Sequence, residues 1–204
     1  MLHTVIFYGR SGAGKGTQAK MLIDHLEKTD PDHKVLYIET GQKFREFISN
    51  GNFTGEKVAS VLKEGGLLPE FLPIWVWTDF LIKNYTGNEH LVLDGLSRRI
   101  SEAPVLDGAL KFYLREHPVV IHVNVSREVA KAHLLGRGRA DDKEEDIDRR
   151  LDWYDTNVVP TLEYFKDHPH YRFADINGEQ PMEKVHADIL QFLKDHEHSH
   201  NDQA

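Results

Sequence analysis

Cysteine is absent from the chain's 204 residues, which excludes disulfides and thiolate-held metals and fits a reducing compartment. No apolar run approaches the ~20 residues of a membrane-spanning helix, so no membrane partner is expected. The opening residues, MLHTVIFYGR, lack the basic stretch, long apolar run and small-residue cleavage site of a signal peptide, and the expected location is cytoplasmic. An excess of basic charge is missing too. The formal net charge of −8 argues against any general affinity for nucleic acid or anionic membrane. Phosphate binding, if present, must come from a local basic site that overrides the global field.

What is present suits one soluble globular domain: 28% charged and 40% hydrophobic residues, in a length able to bury a core. Five short β-rich runs stand out: TVIFY (Thr4 to Tyr8), KVLYIE (Lys34 to Glu39), LVLD (Leu91 to Asp94), VVIHVNV (Val119 to Val125) and YRFADI (Tyr171 to Ile176). Several are almost continuously apolar, as strands buried on both faces of a parallel sheet must be. Helical patterns separate them; Ala19, Leu22, Ile23 and Leu26 make one apolar face. The alternation predicts an α/β fold, a five-stranded parallel sheet flanked by helices.

Some segments fit the alternation less well. The stretch from about Gly41 to Phe71 is long for one crossover and reads as a helical insertion. GRGRADDKEED (Gly136 to Asp146), dense in charge and glycine, reads as a mobile surface loop. DIDRRLDWYDTNVVPTLEYF then reads as a long helix, interrupted or bent near Pro160. The C-terminal DHEHSHNDQA reads as a frayed, solvated tail rather than a metal site, despite His196, His198 and His200.

The stretch GRSGAGKGTQ (Gly9 to Gln18) joins the first strand to the first helix. Its glycines permit backbone angles that let consecutive N–H groups turn inward, and the helix start adds its positive dipole end. Lys15 supplies a full charge that can reach β- and γ-phosphates. The signature G-x-x-x-x-G-K-[ST] is nearly met: Gly16 occupies the hydroxyl position and Thr17 follows it.

This loop resembles the G-x-P-G-x-G-K-G-T-Q loop of adenylate kinases and related nucleoside monophosphate kinases. The resemblance extends in order along nearly the whole chain, from Val5 to Glu179. TGQKFR resembles the family's T-G-D-L-L-R, and implies that Thr40 lies by the acceptor base and Arg45 holds its phosphate. EGGLLPE resembles G-x-L-V-P, whose backbone borders the base, which points to Gly66, Leu67, Leu68 and Pro69. LVLDGLSRRISE resembles L-I-D-G-F-P-R-T-x-x-Q. There Asp94 would organise the water shell of Mg²⁺, Gly95 would border the acceptor, Arg98 would grip its phosphate and Glu102 would face its base. HLLGRGRADD resembles the start of the lid, with Arg137 and Arg139 as phosphate-contacting arginines, Asp141 and Asp142 as the acidic pair, and His133 where an arginine packs on the ATP adenine. DRRLDWY supplies Arg150 at the position of a catalytic arginine.

The resemblance implies a single P-loop kinase domain. Its core would be residues 1–39, 72–135 and 148–195, its acceptor-binding insertion 40–71 and its short lid 136–147, ahead of a polar tail at 196–204. It implies transfer of the γ-phosphoryl of MgATP to AMP by a monomer. The donor would be held by Gly12, Ala13, Gly14, Lys15, Gly16, Thr17, His133 and Arg137. Lys15, Arg98, Arg137, Arg139 and Arg150 would act in catalysis. Such transfer needs anionic groups brought in line and charge spread over the moving oxygens, which lysine and planar guanidinium groups supply.

The chain departs from the family pattern at four places. Gln42 replaces aspartate, Ser97 replaces proline, and Arg10 and Ser11 replace a small residue and a proline. The fourth is Glu102 for glutamine. An ionised glutamate only accepts hydrogen bonds and would suit guanine's N1–H and N2–H₂, so a GMP or pyrimidine kinase stays open, as does a non-catalytic nucleotide sensor. Arg10 is expected to face solvent. Arg99, Arg115 and Arg149 are expected to be surface or structural residues.

Overall fold

The computed structural model describes residues 2–48, 51–63, 66, 68–137 and 144–201, with side chains to residue 195. Five strands, β1 (Thr4–Tyr8), β2 (Val35–Glu39), β3 (His90–Asp94), β4 (Val119–Asn124) and β5 (Arg172–Asn177), form one parallel sheet in the order β2-β3-β1-β4-β5. The expected runs hold to within one residue at each end. Every residue of β1 and β3 is buried, because helices cover both faces of the sheet centre.

The helices are α1 (Lys15–Thr29), α2 (Thr40–Ile48), α3 (Phe53–Lys63), α4 (Phe71–Asn84), α5 (Ala103–Phe112), α6 (Arg127–Arg137), α7 (Glu144–Trp153), α8 (Val159–Asp167) and α9 (Met182–Asn201). Val5, Phe7, Val92 and Ile121 pack with Leu22 of α1, Leu134 of α6, Ile147 and Leu151 of α7 and Ile189 of α9 on one side. Ile6, Tyr8, Leu93 and Val120 pack with Trp77 of α4, Leu106 of α5 and Phe165 of α8 on the other. A separate small core joins Phe44 of α2, Val58 of α3, Leu68, and Leu72 and Val76 of α4.

Three expectations change in form. Helix α7 starts at Glu144, inside the stretch expected to be loop; Glu144, Glu145 and Asp146 occupy its first turn, where acidic groups complement the helix dipole. The long helix through Pro160 is interrupted by a π turn at Tyr154–Val158, with Val159 N–H bonding Tyr154 O five residues back. Proline has no N–H to give Thr156 and its ring crowds that carbonyl, so an α-helical register is disfavoured and α8 restarts with Pro160 in its first turn. The π turn also marks where the chain changes layers: Ile147 and Leu151 serve one core, Tyr154, Val158 and Leu162 the other. Finally, α9 continues to Asn201, so the backbone of the expected frayed tail is helical through that residue. No helix among the described residues is long and apolar enough to cross a membrane.

Candidate active site

The parallel sheet sets β1, β2 and β3 to end at one edge, where ligands of open α/β sheets bind. Register pairs Phe7 with Asp94 and Glu39 with Asp94, so the two carboxylates lie on neighbouring strand ends. After β1 the loop 9–14 turns back on itself, with Ala13 N–H on Arg10 O at 3.0 Å. At Gly12, φ is +87° and an added Cβ would stand 2.5 Å from Ala130 O of α6, so glycine is the residue that lets loop and helix meet.

Lys15 opens α1. Its Nζ donates to Gly9 O at 2.9 Å and Arg10 O at 3.0 Å, folded back within the loop. Desolvation lowers its pKa to about 8; Asp94 opposes that shift, while the charges of Arg98 and Arg137 add to it. Three expected site residues therefore act electrostatically on the fourth. Asp94 is 6% exposed, and burial raises its pKa against the pull of Lys15 and Arg98. Its Oδ2 lies 3.7 Å from where a Cβ on Gly16 would stand, hard against the start of α1.

On the acceptor side, the Gly95 carbonyl collects two donors: Thr40 Oγ1 at 2.8 Å and Arg98 Nε at 3.1 Å. The Arg98 guanidinium lies close against Gly95, where a Cβ would come within 2.5 Å of Nη2 and φ is +75°. Arg45, half exposed, bonds Glu39 Oε1 at 3.1 Å. Gln42 turns along α2 to Glu46 Oε1. Leu68 is buried and its carbonyl accepts Arg99 Nη1, while Gly66 is exposed. Glu102 is 3% exposed, and its Oε2 accepts Arg98 N–H at 2.8 Å, so the carboxylate serves its own loop.

On the lid side, Arg137 is the exposed last residue of α6. His133 Nδ1 pairs with Gly12 O at 3.0 Å. Arg150, half-buried on α7, donates its Nε to Asp146 O at 3.2 Å. Arg139, Asp141, Asp142 and Leu67 lie outside the described residues.

The expectation for Arg10 is corrected. Its guanidinium donates to Val125 O at 2.9 Å and Asp155 Oδ1 at 2.6 Å and lies 4.8 Å over the Tyr154 ring. The side chain is only 19% exposed. Sequence reasoning also missed Tyr37, whose hydroxyl approaches Asp94 Oδ2 at 3.5 Å. The signal was available, since Tyr37 shares a strand face with Glu39, beside Asp94. Arg115 is indeed structural, and is buried: it donates to Thr4 Oγ1, Leu2 O, His3 O, Glu89 O and the Tyr85 hydroxyl.

A model of the family described as adenylate kinase matches residues 7–170. Adenylate kinase 1 of Nostoc sp. is 32% identical over 181 residues, covering 89% of this chain and 93% of that protein. Adenylate kinase of Leptospira biflexa serovar Patoc is 33% identical over 193 residues, covering 93% and 98%. The chain belongs to the adenylate kinase family. As an adenylate kinase family member it is a phosphotransferase, and its five-stranded parallel sheet is that of the family's P-loop fold.

One further group of metal-type donors gathers among the described residues, away from this edge: Asp30, His33 and His90. His90 Nδ1 accepts the His3 backbone N–H at 3.0 Å. The neutral ring therefore carries its proton on Nε2, facing Asp30 Oδ2 at 3.2 Å. A metal-bound histidine donates through its second nitrogen. His90 accepts there instead, so the group is a hydrogen-bonded tie between α1, β1 and β3.

Proposed function

We propose that the chain transfers the γ-phosphoryl group of ATP to AMP, giving two ADP. The observation that carries this is the placing of Lys15 in the glycine loop, with the buried Asp94 beside the start of α1 and Arg98 held on the carbonyl of Gly95, the residue after Asp94. A structural glycine turn has no use for a half-buried lysine whose ammonium is held by the loop's own carbonyls. A site for two polyanions does.

In this reading Lys15 and the loop amides of Gly12 to Thr17 hold the donor phosphates, as a helix N-terminus and its preceding turn are suited to do. The two carbonyls that hold Nζ are released when phosphate oxygens replace them. Arg98 and Arg45 take the acceptor phosphate, with Arg98 pre-aimed by Gly95 O. An oxygen of that phosphate attacks the γ-phosphorus, the bond to the β-bridging oxygen breaks, and Arg137, Arg139 and Arg150 balance the charge spread over the transferring group. Asp94 suits the water shell of a magnesium ion: it is a hard oxygen donor, buried, and next to the start of α1. Bound there with ATP, magnesium would supply charge neutralisation of the phosphates. Helices α2 and α3, packed on α4 through the small core, and the lid at 136–147 would close over the substrates and keep water out.

AMP is favoured as acceptor for two reasons. The curated relatives are named adenylate kinases. The feature that pointed to guanine, the Glu102 carboxylate, is occupied by the Arg98 amide.

A coupled assay with ATP against AMP, GMP, CMP, UMP and dAMP tests the assignment. Two ADP per AMP consumed is the expected result, with AMP the fastest acceptor. Faster turnover of GMP or a pyrimidine nucleotide overturns the base assignment, and no ADP from any acceptor overturns the enzyme.

A further inference from the structure

Arg10 stands in the phosphate loop at a position that the signature leaves free, and its contacts run away from the phosphates. Its backbone carbonyl is a hub of the loop, accepting Ala13 N–H and Lys15 Nζ, both at 3.0 Å. Its side chain leaves the loop and locks onto two other parts of the fold. Nη1 donates to Val125 O, just past β4. Nη2 meets Asp155 Oδ1, and the guanidinium plane rests on Tyr154. Tyr154 and Asp155 are the first two residues of the π turn.

The π turn is itself braced. Tyr154 OH and His122 Nε2 are 2.7 Å apart, and His122 Nδ1 pairs with Asp175 at 2.9 Å. Asp155 Oδ2 lies 3.7 Å from Arg127 Nη1, which bonds Asp152 at 2.7 Å. Arg150 sits one helical turn before Tyr154. A single guanidinium thus connects the carbonyl that parks the catalytic lysine to the turn that ends the helix of Arg150.

We infer that Arg10 is a positioning residue for phosphoryl transfer: it fixes the donor loop and the α7 helix relative to one another through Tyr154 and Asp155. The inference rests on the kinase assignment above and deepens it. The arrangement needs a guanidinium, because one planar group lies over a ring while two separate nitrogens donate to acceptors on different segments; an ammonium donates from a single atom. A plain surface ion pair would leave turnover untouched. Misplacement of reacting groups by about 1 Å costs up to ~100-fold in rate.

The test uses the full chain with Arg10→Lys, Asp155→Asn and the double variant. Stopped-time assays give kcat and the KM for AMP; calorimetry gives ATP affinity. Each single variant is expected to lower kcat and weaken ATP binding by about 10-fold. AMP KM should hold, and the melting temperature should stay within roughly 4 °C. The double variant should be no worse than the more severe single. Wild-type kcat and ATP affinity in Arg10→Lys overturn the inference, since charge alone then suffices. Losses that multiply in the double variant also overturn it, because the two groups then act separately. Failure of the wild type to make ADP condemns the kinase assignment instead, and the ATP calorimetry still decides Arg10.

Discussion

Glu102 reaches back along the chain to take the backbone N–H of Arg98 at 2.8 Å, so its carboxylate shapes the turn that presents the arginine proposed to hold the acceptor phosphate. The turn is tight. Ser97 within it has φ +49°, its carbonyl accepts the buried Tyr8 hydroxyl at 2.9 Å, and its Oγ lies 3.3 Å from Glu102 O. The aim of Arg98 therefore depends on a buried acid in its own turn.

Glu102→Gln is expected to stabilise the ligand-free protein at neutral pH. Burial raises the Glu102 pKa above its ordinary 4.5, against the Arg98 and Arg99 amides. An acid raised in the folded state gives full stability below the unfolded value and loses it as pH climbs through the folded one. Glutamine keeps an acceptor for Arg98 N–H and removes the charge. Thermal melts across pH should show an advantage at pH 7 that shrinks towards pH 4.5. A difference that ignores pH would rule this out.

Lys15→Met should cut turnover by at least ~100-fold with the fold intact, the scale of losing one electrostatic donor in a transfer site. A second readout follows from the lowered pKa of about 8. Folding disfavours the lysine charge, a cost present below pH 8 and relieved as pH rises towards 10.5. The melting temperature of the variant relative to wild type should accordingly fall across that window. Near-normal turnover would be fatal to the assigned mechanism.

Ser97→Pro, which restores the residue of the resembled motif, is expected to harm this chain. Proline fixes φ near −65° and cannot adopt the left-handed backbone found here. The cost should exceed ~1 kcal/mol, and Arg98 should be misaimed, raising the KM for AMP. Chemical denaturation and steady-state kinetics check both parts; a neutral or stabilising outcome contradicts the turn as described.

Arg115→Ala should destabilise by ~3 kcal/mol or more without altering the substrate KM values of whatever folded protein remains. Truncation takes a donor away from the buried or half-buried acceptors of Thr4, Leu2, His3 and Glu89, and only the His3 carbonyl keeps a second one, the Leu91 N–H. Urea titration measures the first effect, and assay well below the melting temperature the second.

Much of the architecture was readable from residue order. Strands such as TVIFY announce themselves because both faces are buried, and the phosphate loop because glycine and lysine spacing is dictated by the anion. The site's wiring was not readable. Arg10 meets Asp155 across 145 positions of chain, a pairing no local pattern encodes, and the likeness of charges on any surface makes solvent the default guess. Pro160 signals an interruption, yet nothing in its neighbours says that the chain will widen into a π turn rather than kink. Ser97 gives no sign of its left-handed backbone, because glycine or asparagine would be the usual marker.

The strand order carries a consequence for synthesis. β1 is made before the other four strands but occupies the middle of the sheet, with Thr4 opposite Leu91 and Val5 opposite Val119. Its flanking places stay vacant until the nascent chain has grown past both partners, a wait of several seconds to tens of seconds at roughly 5–20 residues per second. Through that interval an apolar, β-prone pentapeptide is exposed without its partner strands. Translation speed up to β4, rather than after it, should therefore decide how much of this protein escapes aggregation in the cell.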